Sequence, residues 1–172
     1  SFLVFLTGCP YNVDLFKNKL TDKKLKFIEC PEVENFDKKF SYFTGSKCCV
    51  SVAKGTDALE IAVKSLNLKK NAEIIVPVNT WISTAEAVVN NGHKLIFCDI
   101  NLNDYSISLN DLKKKITKKT GAIIAVHLYG VATKIIKIKK LIKNKNIKIV
   151  EDCAEAQGIK IGEKQMGSME DI

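Results

Sequence analysis

The feature that most constrains the fold is a repeated alternation of short apolar runs with longer segments of helical period, which begins near residue 47. Runs rich in β-branched residues predict strands at residues 49–53, 73–77, 94–100, 122–128 and 147–153. The segments between them predict helices at residues 56–66, 83–91, 109–116 and 133–144. This order is typical of βαβ units, so the sequence predicts an α/β fold with a mostly parallel sheet.

Residues 29–172 are predicted to form one domain, which opens with a further helix at residues 32–43, whereas residues 1–28 stay unassigned. Residues 1–9 resemble a bacterial lipoprotein cleavage box. Their apolar run is short and no basic segment precedes it, so a strand or a fragment edge is the favoured interpretation. Both ends of the chain are interpreted as cuts.

The chain contains 27 lysines and no arginine against 19 acidic residues, which gives a formal net charge of +8. Arginine makes the bidentate contacts on which specific nucleic-acid recognition depends, so we expect no nucleic-acid partner. The lysines fall at solvent-facing helix positions, which indicates a compositional bias. No apolar stretch approaches the roughly 18 residues that span a bilayer, so no membrane partner is expected.

The six cysteines show no metal-type spacing, and Cys98 and Cys153 lie in apolar strand-like runs. Buried free thiols in a reducing cytoplasm are therefore favoured over a disulfide framework. No metal site is expected.

Three segments could carry chemistry, and each follows a predicted strand at the edge where parallel sheets bind ligands. The first, residues 53–57 (AKGTD), opens a helix, and the free amides of a helix N-terminus attract anions. Gly55 would allow a close backbone approach, and Thr56 could add a hydroxyl. The alternative is a tight turn at Gly55 with Thr56 or Asp57 as a simple helix cap. The segment matches neither the dinucleotide nor the nucleoside-triphosphate loop.

The second segment, residues 77–84 (PVNTWIST), holds the only tryptophan, Trp81. A ring at the lip of a sheet can stack on a planar ligand, or it can lie in the core beneath the helix. The third, residues 150–158 (VEDCAEAQG), puts Asp152 at a strand end, where it can meet a protonated pyridine nitrogen or cap a following helix. Jointly, the three segments would hold the phosphate, face and nitrogen of pyridoxal phosphate.

The same segments, in the same order, resemble the DegT/DnrJ/EryC1/StrS family of nucleotide-sugar aminotransferases. The resemblance runs from about Pro31 to the last residue. It rests on residues 31–40, 55–59, 75–85, 125–130 and 149–158. It implies a three-layer α/β domain of pyridoxal-phosphate-dependent transferase fold type I, the aspartate aminotransferase type, truncated before its carboxyl-terminal small domain.

The resemblance implies that the cofactor is pyridoxal 5'-phosphate. Gly55, Thr56 and Asp57 would contact its phosphate through backbone or hydroxyl groups. Trp81 would stack on the pyridine ring, and Asp152 would pair with the ring nitrogen.

Glu155 would lie near the ring hydroxyl, where the family usually has Gln or His. The lysine that holds the cofactor covalently is expected just beyond the last residue, so no catalytic residue is assigned within the chain. Lys160 and Lys164 lie in a predicted hairpin, residues 158–166, that leads away from the site.

The resemblance further implies transamination of a nucleotide-linked keto-deoxysugar, with glutamate as amino donor, by a cytoplasmic homodimer in amino-sugar or polysaccharide biosynthesis. The truncated chain alone is expected to be inactive. Two alternatives stay open. One is a sugar dehydratase or lyase of the same fold and cofactor, in which histidine can replace the lysine. The other is a non-catalytic binding module, either a cofactor-free scaffold or a lysine-driven nucleic-acid binder.

Overall fold

The computed structural model describes residues 4–5, 31–143 and 145–169, which form an α/β fold around a parallel sheet. The strands are β1 (Val4–Phe5), β2 (Ser51–Val52), β3 (Glu73–Pro77), β4 (Lys94–Cys98), β5 (Thr120–Val126), β6 (Lys148–Asp152), β7 (Lys160–Ile161) and β8 (Lys164–Gln165). The helices are α1 (Pro31–Thr44), α2 (Gly55–Ser65), α3 (Ile82–Asn90), α4 (Leu109–Lys115) and α5 (Ile135–Ile142), with a 3₁₀ turn at Leu128–Gly130. The central sheet has the order β4-β3-β5-β6, and its neighbouring strands are all parallel. The predicted mostly parallel sheet is confirmed.

Helices cover both faces of this sheet, so the predicted three layers are also confirmed. Ile74, Ile124 and Val150 pack with residues of α2 and α3 on one face. Ile75 and Ile149, each one position along the same strands, pack with residues of α4 and α5 on the other face. Because both faces are covered, the strands are continuous apolar runs instead of alternating ones.

The strand predicted at residues 49–53 is wrong in its extent and in its place. Only Ser51–Val52 is a strand, and it pairs antiparallel with Val4–Phe5 outside the parallel sheet. The Ser51 hydroxyl and the Ser51 amide both donate to the Asp37 carboxylate of α1, the amide at 3.4 Å. The segment is therefore held by α1 and β1, which an apolar run by itself does not indicate.

Most predicted boundaries differ from the observed ones by one or two residues, and two of these differences have a local reason. The helix predicted from residue 133 starts at Ile135, because the Thr133 hydroxyl donates to Val126 O at 2.6 Å and so ties Thr133 to the end of β5. The strand predicted at residues 94–100 ends at Cys98, and the chain after it turns back so that Ser108 N–H donates to Asp99 O at 2.8 Å. The hairpin predicted at residues 158–166 is confirmed as β7 and β8.

The surface agrees with the interpretation of the charge. The three lysines 113–115 of α4 and those at positions 137, 139 and 140 of α5 are exposed, as predicted for solvent-facing helix positions. Within the ranges that the structure describes, no helix has the length and apolar character to cross a membrane. Residues 1–28, for which the sequence predicts no assigned element, lie outside the described residues except for β1, and that short strand agrees with the strand interpretation of residues 1–9.

Candidate active site at the carboxyl edge of the sheet

Polar groups from separate loops meet at the carboxyl edge of the sheet. The Thr84 hydroxyl lies 3.4 Å from Asp152 Oδ2, which joins the start of α3 to the end of β6. The Thr56 and Ser83 hydroxyl oxygens lie 2.8 Å apart, which joins the start of α2 to the start of α3. The structure thus brings together all three segments that the sequence singled out, although they are far apart along the chain.

Asp152 ends β6 with its carboxylate in a largely desolvated position. Burial raises the pKa of the Asp152 carboxyl, and hydrogen bonds from Ala154 N–H (3.2 Å) and the Thr84 hydroxyl oppose this rise. Among the described residues, no lysine forms an ion pair with Asp152. A carboxylate in such a place favours a cationic partner, and a protonated pyridine nitrogen has the required charge. The alternative of a helix cap is wrong, since the chain turns after Asp152 without entering a helix.

Thr84 is fully buried in the first turn of α3 and orients the Asp152 carboxylate. An ionised carboxylate only accepts hydrogen bonds, so the Thr84 hydroxyl donates its single hydrogen to Asp152. The Thr80 hydroxyl, 2.9 Å from Thr84 Oγ1, must then be the donor of that second bond. The three residues form a hydrogen-bond chain with one direction, which ends on the carboxylate.

Helix α2 starts at Gly55, and its N-cap residue, Lys54, makes no side-chain capping bond. Ala58 donates to Lys54 O at 3.2 Å, the first bond of the helical ladder. The amides of Gly55, Thr56 and Asp57 therefore have no acceptor within the helix. Together with the positive end of the helix dipole, they suit a phosphate group. The capping alternative for Thr56 or Asp57 is wrong, because both lie inside the first turn.

The side chains of this turn differ in direction. Thr56 points to Ser83 of α3, whereas the Asp57 carboxylate pairs with Lys54 Nζ at 3.7 Å. Asp57 is consequently suited to contribute its amide to an anion, with the charge of its carboxylate partly balanced by the lysine.

Trp81 is the N-cap residue of α3, and 78% of its surface is exposed. The alternative that this ring lies in the core is therefore wrong. Val78 and Ile82 beside it are also exposed. Exposed apolar groups of this kind, next to polar ones, are typical of a surface that a ligand or another chain covers.

Glu155 lies in the loop after β6, where its Oε2 accepts the Tyr129 N–H at 2.7 Å. Tyr129 has φ of 55°, a left-handed conformation that is uncommon for a residue with a side chain. The Glu155 carboxylate thus holds the 3₁₀ turn after β5 against the loop after β6. The contact of Glu155 with a ring hydroxyl stays a prediction, as do the cofactor contacts expected of Gly55, Thr56, Asp57, Trp81 and Asp152.

Three potential metal ligands lie together near the end of β6: His127, Glu151 and Cys153. Their ligand atoms are all within 4.8 Å of one another. Thr133 N–H donates to His127 Nδ1 at 3.0 Å, so Nε2 carries the ring hydrogen and donates it to Glu151 Oε2 at 3.1 Å. A metal bound at Nε2 would displace the hydrogen of that nitrogen. Because Nδ1 carries no hydrogen either, the ring would then have none. Burial raises the pKa of the Cys153 thiol, and the nearby Glu151 and Asp152 raise it further. Metals bind the thiolate, which this environment disfavours. The donor set does not fit a metal.

Sequence reasoning did not identify Thr84 or Glu151 as contributors, although both lie in segments that it selected. The sequence does not indicate which of several hydroxyls points to Asp152, because that depends on the packing of α3 on β6. For Glu151 a signal was available, since adjacent residues of a strand point to opposite faces of the sheet. Glu151 therefore had to face away from the site of Asp152.

Known proteins resemble this chain in sequence. The model of the DegT/DnrJ/EryC1/StrS aminotransferase family matches residues 16–172, so the match starts before Pro31. The dTDP-3-amino-3,6-dideoxy-alpha-D-galactopyranose transaminase of Aneurinibacillus thermoaerophilus is 37% identical over 81% of this chain and 39% of its own length. The GDP-perosamine synthase of Escherichia coli O157:H7 is 33% identical, with 93% of this chain and 47% of its own covered.

Solved structures resemble it in fold. A crystal structure of GDP-4-keto-6-deoxymannose-3-dehydratase with a trapped PLP-glutamate geminal diamine matches with a TM-score of 0.80 and 29% identity. The match covers 96% of this chain and 45% of the dehydratase chain. The described residues therefore share the fold of pyridoxal-phosphate-dependent sugar-modifying enzymes, and the chain spans less than half the length of these relatives.

Proposed function

Since the chain belongs to the DegT/DnrJ/EryC1/StrS aminotransferase family, we propose that the full-length protein binds pyridoxal 5'-phosphate at the carboxyl edge of the sheet. The observation that carries this proposal is the Asp152 carboxylate, which is desolvated, oriented by Thr84 and without a lysine partner among the described residues. When bound, the cofactor supplies an electron sink for negative charge that develops on the substrate.

Different residues of the site would bind different parts of the cofactor. The amides of Gly55, Thr56 and Asp57 would hold the phosphate at the N-terminus of α2, aided by the helix dipole. The exposed ring of Trp81 would stack on the cofactor ring and exclude water from one of its faces.

Asp152 would hold a proton on the pyridine nitrogen, because an ionised carboxylate beside that nitrogen stabilises its protonated form. The hydrogen-bond chain from Thr80 through Thr84 orients the carboxylate and stabilises its charge. Glu155 would line the same pocket near the ring hydroxyl, held in place by the Tyr129 amide.

The reaction that we propose is transfer of an amino group from glutamate to the keto group of a nucleotide-linked deoxysugar. Two relatives named as a transaminase of a dTDP-sugar and as a GDP-perosamine synthase support this substrate class. The product would be an amino sugar for polysaccharide biosynthesis.

The test uses the full-length protein, pyridoxal phosphate and ¹⁵N-labelled glutamate, with GDP- and dTDP-linked 4-keto-6-deoxysugars as separate substrates. Mass spectrometry is expected to find ¹⁵N in the sugar nucleotide. The transaminase proposal is wrong if the protein binds the cofactor and converts these substrates without incorporating nitrogen.

A second candidate is a sugar dehydratase that uses the same cofactor, and the similarity to the GDP-4-keto-6-deoxymannose-3-dehydratase favours it. The same experiment separates the two, because a dehydratase gives a deoxygenated sugar nucleotide that contains no ¹⁵N. A reaction without the protein provides the control for spontaneous decay of the keto sugar.

We propose that the full-length protein is a homodimer in the cytoplasm. The exposed Val78, Trp81 and Ile82 form an apolar rim that a second subunit could cover. Cys49, Cys98 and Cys153 are free thiols, which is consistent with a reducing compartment. Light scattering coupled to gel filtration should give twice the mass of one subunit, and a monomer mass at micromolar concentration would contradict the dimer.

A further inference from the structure

We propose that Glu151 is a positioning residue that clamps residues 167–169 against the strand end carrying Asp152. The proposal rests on the cofactor site proposed above and adds to it a residue on the opposite face of the sheet. The term Glu151 clamp denotes Glu151, His127, Gly167 and Met169.

The Glu151 carboxylate accepts three hydrogen bonds from described residues, while its side chain is 1% exposed. Oε2 accepts from His127 Nε2 at 3.1 Å and from Gly167 N–H at 3.1 Å, and Oε1 accepts from Met169 N–H at 3.0 Å. One buried side chain therefore connects β6, the residue after β5 and the segment after β8.

None of the three donor groups can accept a hydrogen bond instead of donating one. Two of them are backbone amides, which only donate. The third is the Nε2–H of His127, whose other ring nitrogen already accepts from Thr133 N–H at 3.0 Å. A side chain at position 151 must therefore offer acceptors on both of its terminal atoms, which a carboxylate does and an amide does not.

The clamp is coupled directly to Asp152. Asp152 follows Glu151 in β6, and the backbone N–H of His127 donates to Asp152 O at 3.0 Å. The same histidine thus holds the main chain of Asp152 and the side chain of Glu151. Loss of the Glu151 acceptors should shift the Asp152 carboxylate relative to Thr84 as well as release residues 167–169.

The chain offers a matched control in Glu73, at the amino end of β3. Its side chain is 7% exposed, and its carboxylate accepts from Thr117 Oγ1 at 2.5 Å and from Lys94 Nζ at 3.1 Å. Glu73→Gln is thus the same substitution at a comparably buried carboxylate, but at the edge of the sheet opposite to the candidate site.

The experiment compares full-length wild type, Glu151→Gln, Glu151→Asp and Glu73→Gln. Hydrogen–deuterium exchange of the cofactor-free proteins tests the clamp without reference to the cofactor. The Gly167 and Met169 amides are expected to exchange about tenfold or more faster in Glu151→Gln, but not in Glu73→Gln, because a buried hydrogen bond has been removed. Unchanged exchange at these amides overturns the proposal.

Titration with pyridoxal phosphate, followed by absorbance, tests the effect on Asp152. The Kd is expected to rise about tenfold in Glu151→Gln and less than about twofold in Glu73→Gln. Glu151→Asp keeps a buried carboxylate on a side chain that is shorter by one methylene, and it should give an intermediate Kd. This variant also tests the clamp if Glu151→Gln does not fold. If wild type binds and the Glu151 variants equal Glu73→Gln, the clamp proposal is wrong. If wild type does not bind, the proposed function is wrong, while the exchange result still decides the clamp.

Discussion

The Thr84 hydroxyl and the Asp152 carboxylate, 68 residues apart in the chain, lie 3.4 Å from each other. Thr84 belongs to α3, which also presents Ser83 to Thr56 of α2, so the start of α3 connects the first turn of α2 with the Asp152 carboxylate. These contacts place the two ends of the candidate cofactor site in one hydrogen-bonded unit. Four predictions test how that unit works.

Asp152→Asn is expected to stabilise the cofactor-free protein at neutral pH and to weaken pyridoxal phosphate binding. The pKa of the folded carboxyl is raised above its ordinary value of 3.8, so the folded state binds the proton more tightly than the unfolded state. The free energy of unfolding therefore falls as pH rises from 3.8 through the raised pKa, and it stays lowered above that range. Asparagine removes this penalty, and urea denaturation at a series of pH values measures it.

In the same variant, the Kd for pyridoxal phosphate should rise about tenfold or more, because a charge-assisted hydrogen bond to the ring nitrogen is lost. An Asp152→Asn protein that is less stable than wild type at neutral pH, yet binds the cofactor equally well, would contradict both parts of the prediction.

Thr84→Val should weaken cofactor binding about three- to tenfold, since it removes the donor to Asp152 at nearly constant volume. Loss of that donor should also raise the pKa of Asp152 further, because the hydroxyl stabilises the charged form. Absorbance titration measures the Kd. Thr84→Ser keeps the hydroxyl and is the control, and equal affinity in both variants would show that the hydroxyl has no role.

Trp81→Ala should raise the Kd for pyridoxal phosphate about three- to tenfold, whereas Trp81→Phe should stay close to wild type, because ring stacking contributes about 0.5–1.5 kcal/mol. The ring is 78% exposed, so neither change should shift the free energy of unfolding by more than about 0.5 kcal/mol. A large loss of stability in Trp81→Ala would indicate a packing role instead.

Pyridoxal, which lacks the phosphate, should bind at least about tenfold more weakly than pyridoxal phosphate, because it cannot use the amides at the start of α2. Inorganic phosphate should compete with the cofactor but not with pyridoxal. Equal binding of both ligands by wild type would rule out an anion site at Gly55 to Asp57.

Part of the fold and of the site was open to sequence reasoning because it depends on local properties. Apolar periodicity predicted the helices and the strands of the parallel sheet, and β3 was predicted with its observed bounds. The polar segments after the strands were found by their position in the βαβ pattern. The pairing of residues 51–52 was not predicted, because an apolar run does not specify its partner strand. This strand pairs with β1.

The sequence by itself determined the order of strands and helices, the parallel sheet and the segments that would border a ligand, because hydrophobic pattern and turn chemistry act over a few neighbouring residues. Only the tertiary structure decided that Thr84 meets Asp152, that Trp81 is exposed, and that Glu151 holds residues 167–169. Such contacts join residues far apart in the chain, and they depend on how helices pack on the sheet and on which buried donors find acceptors.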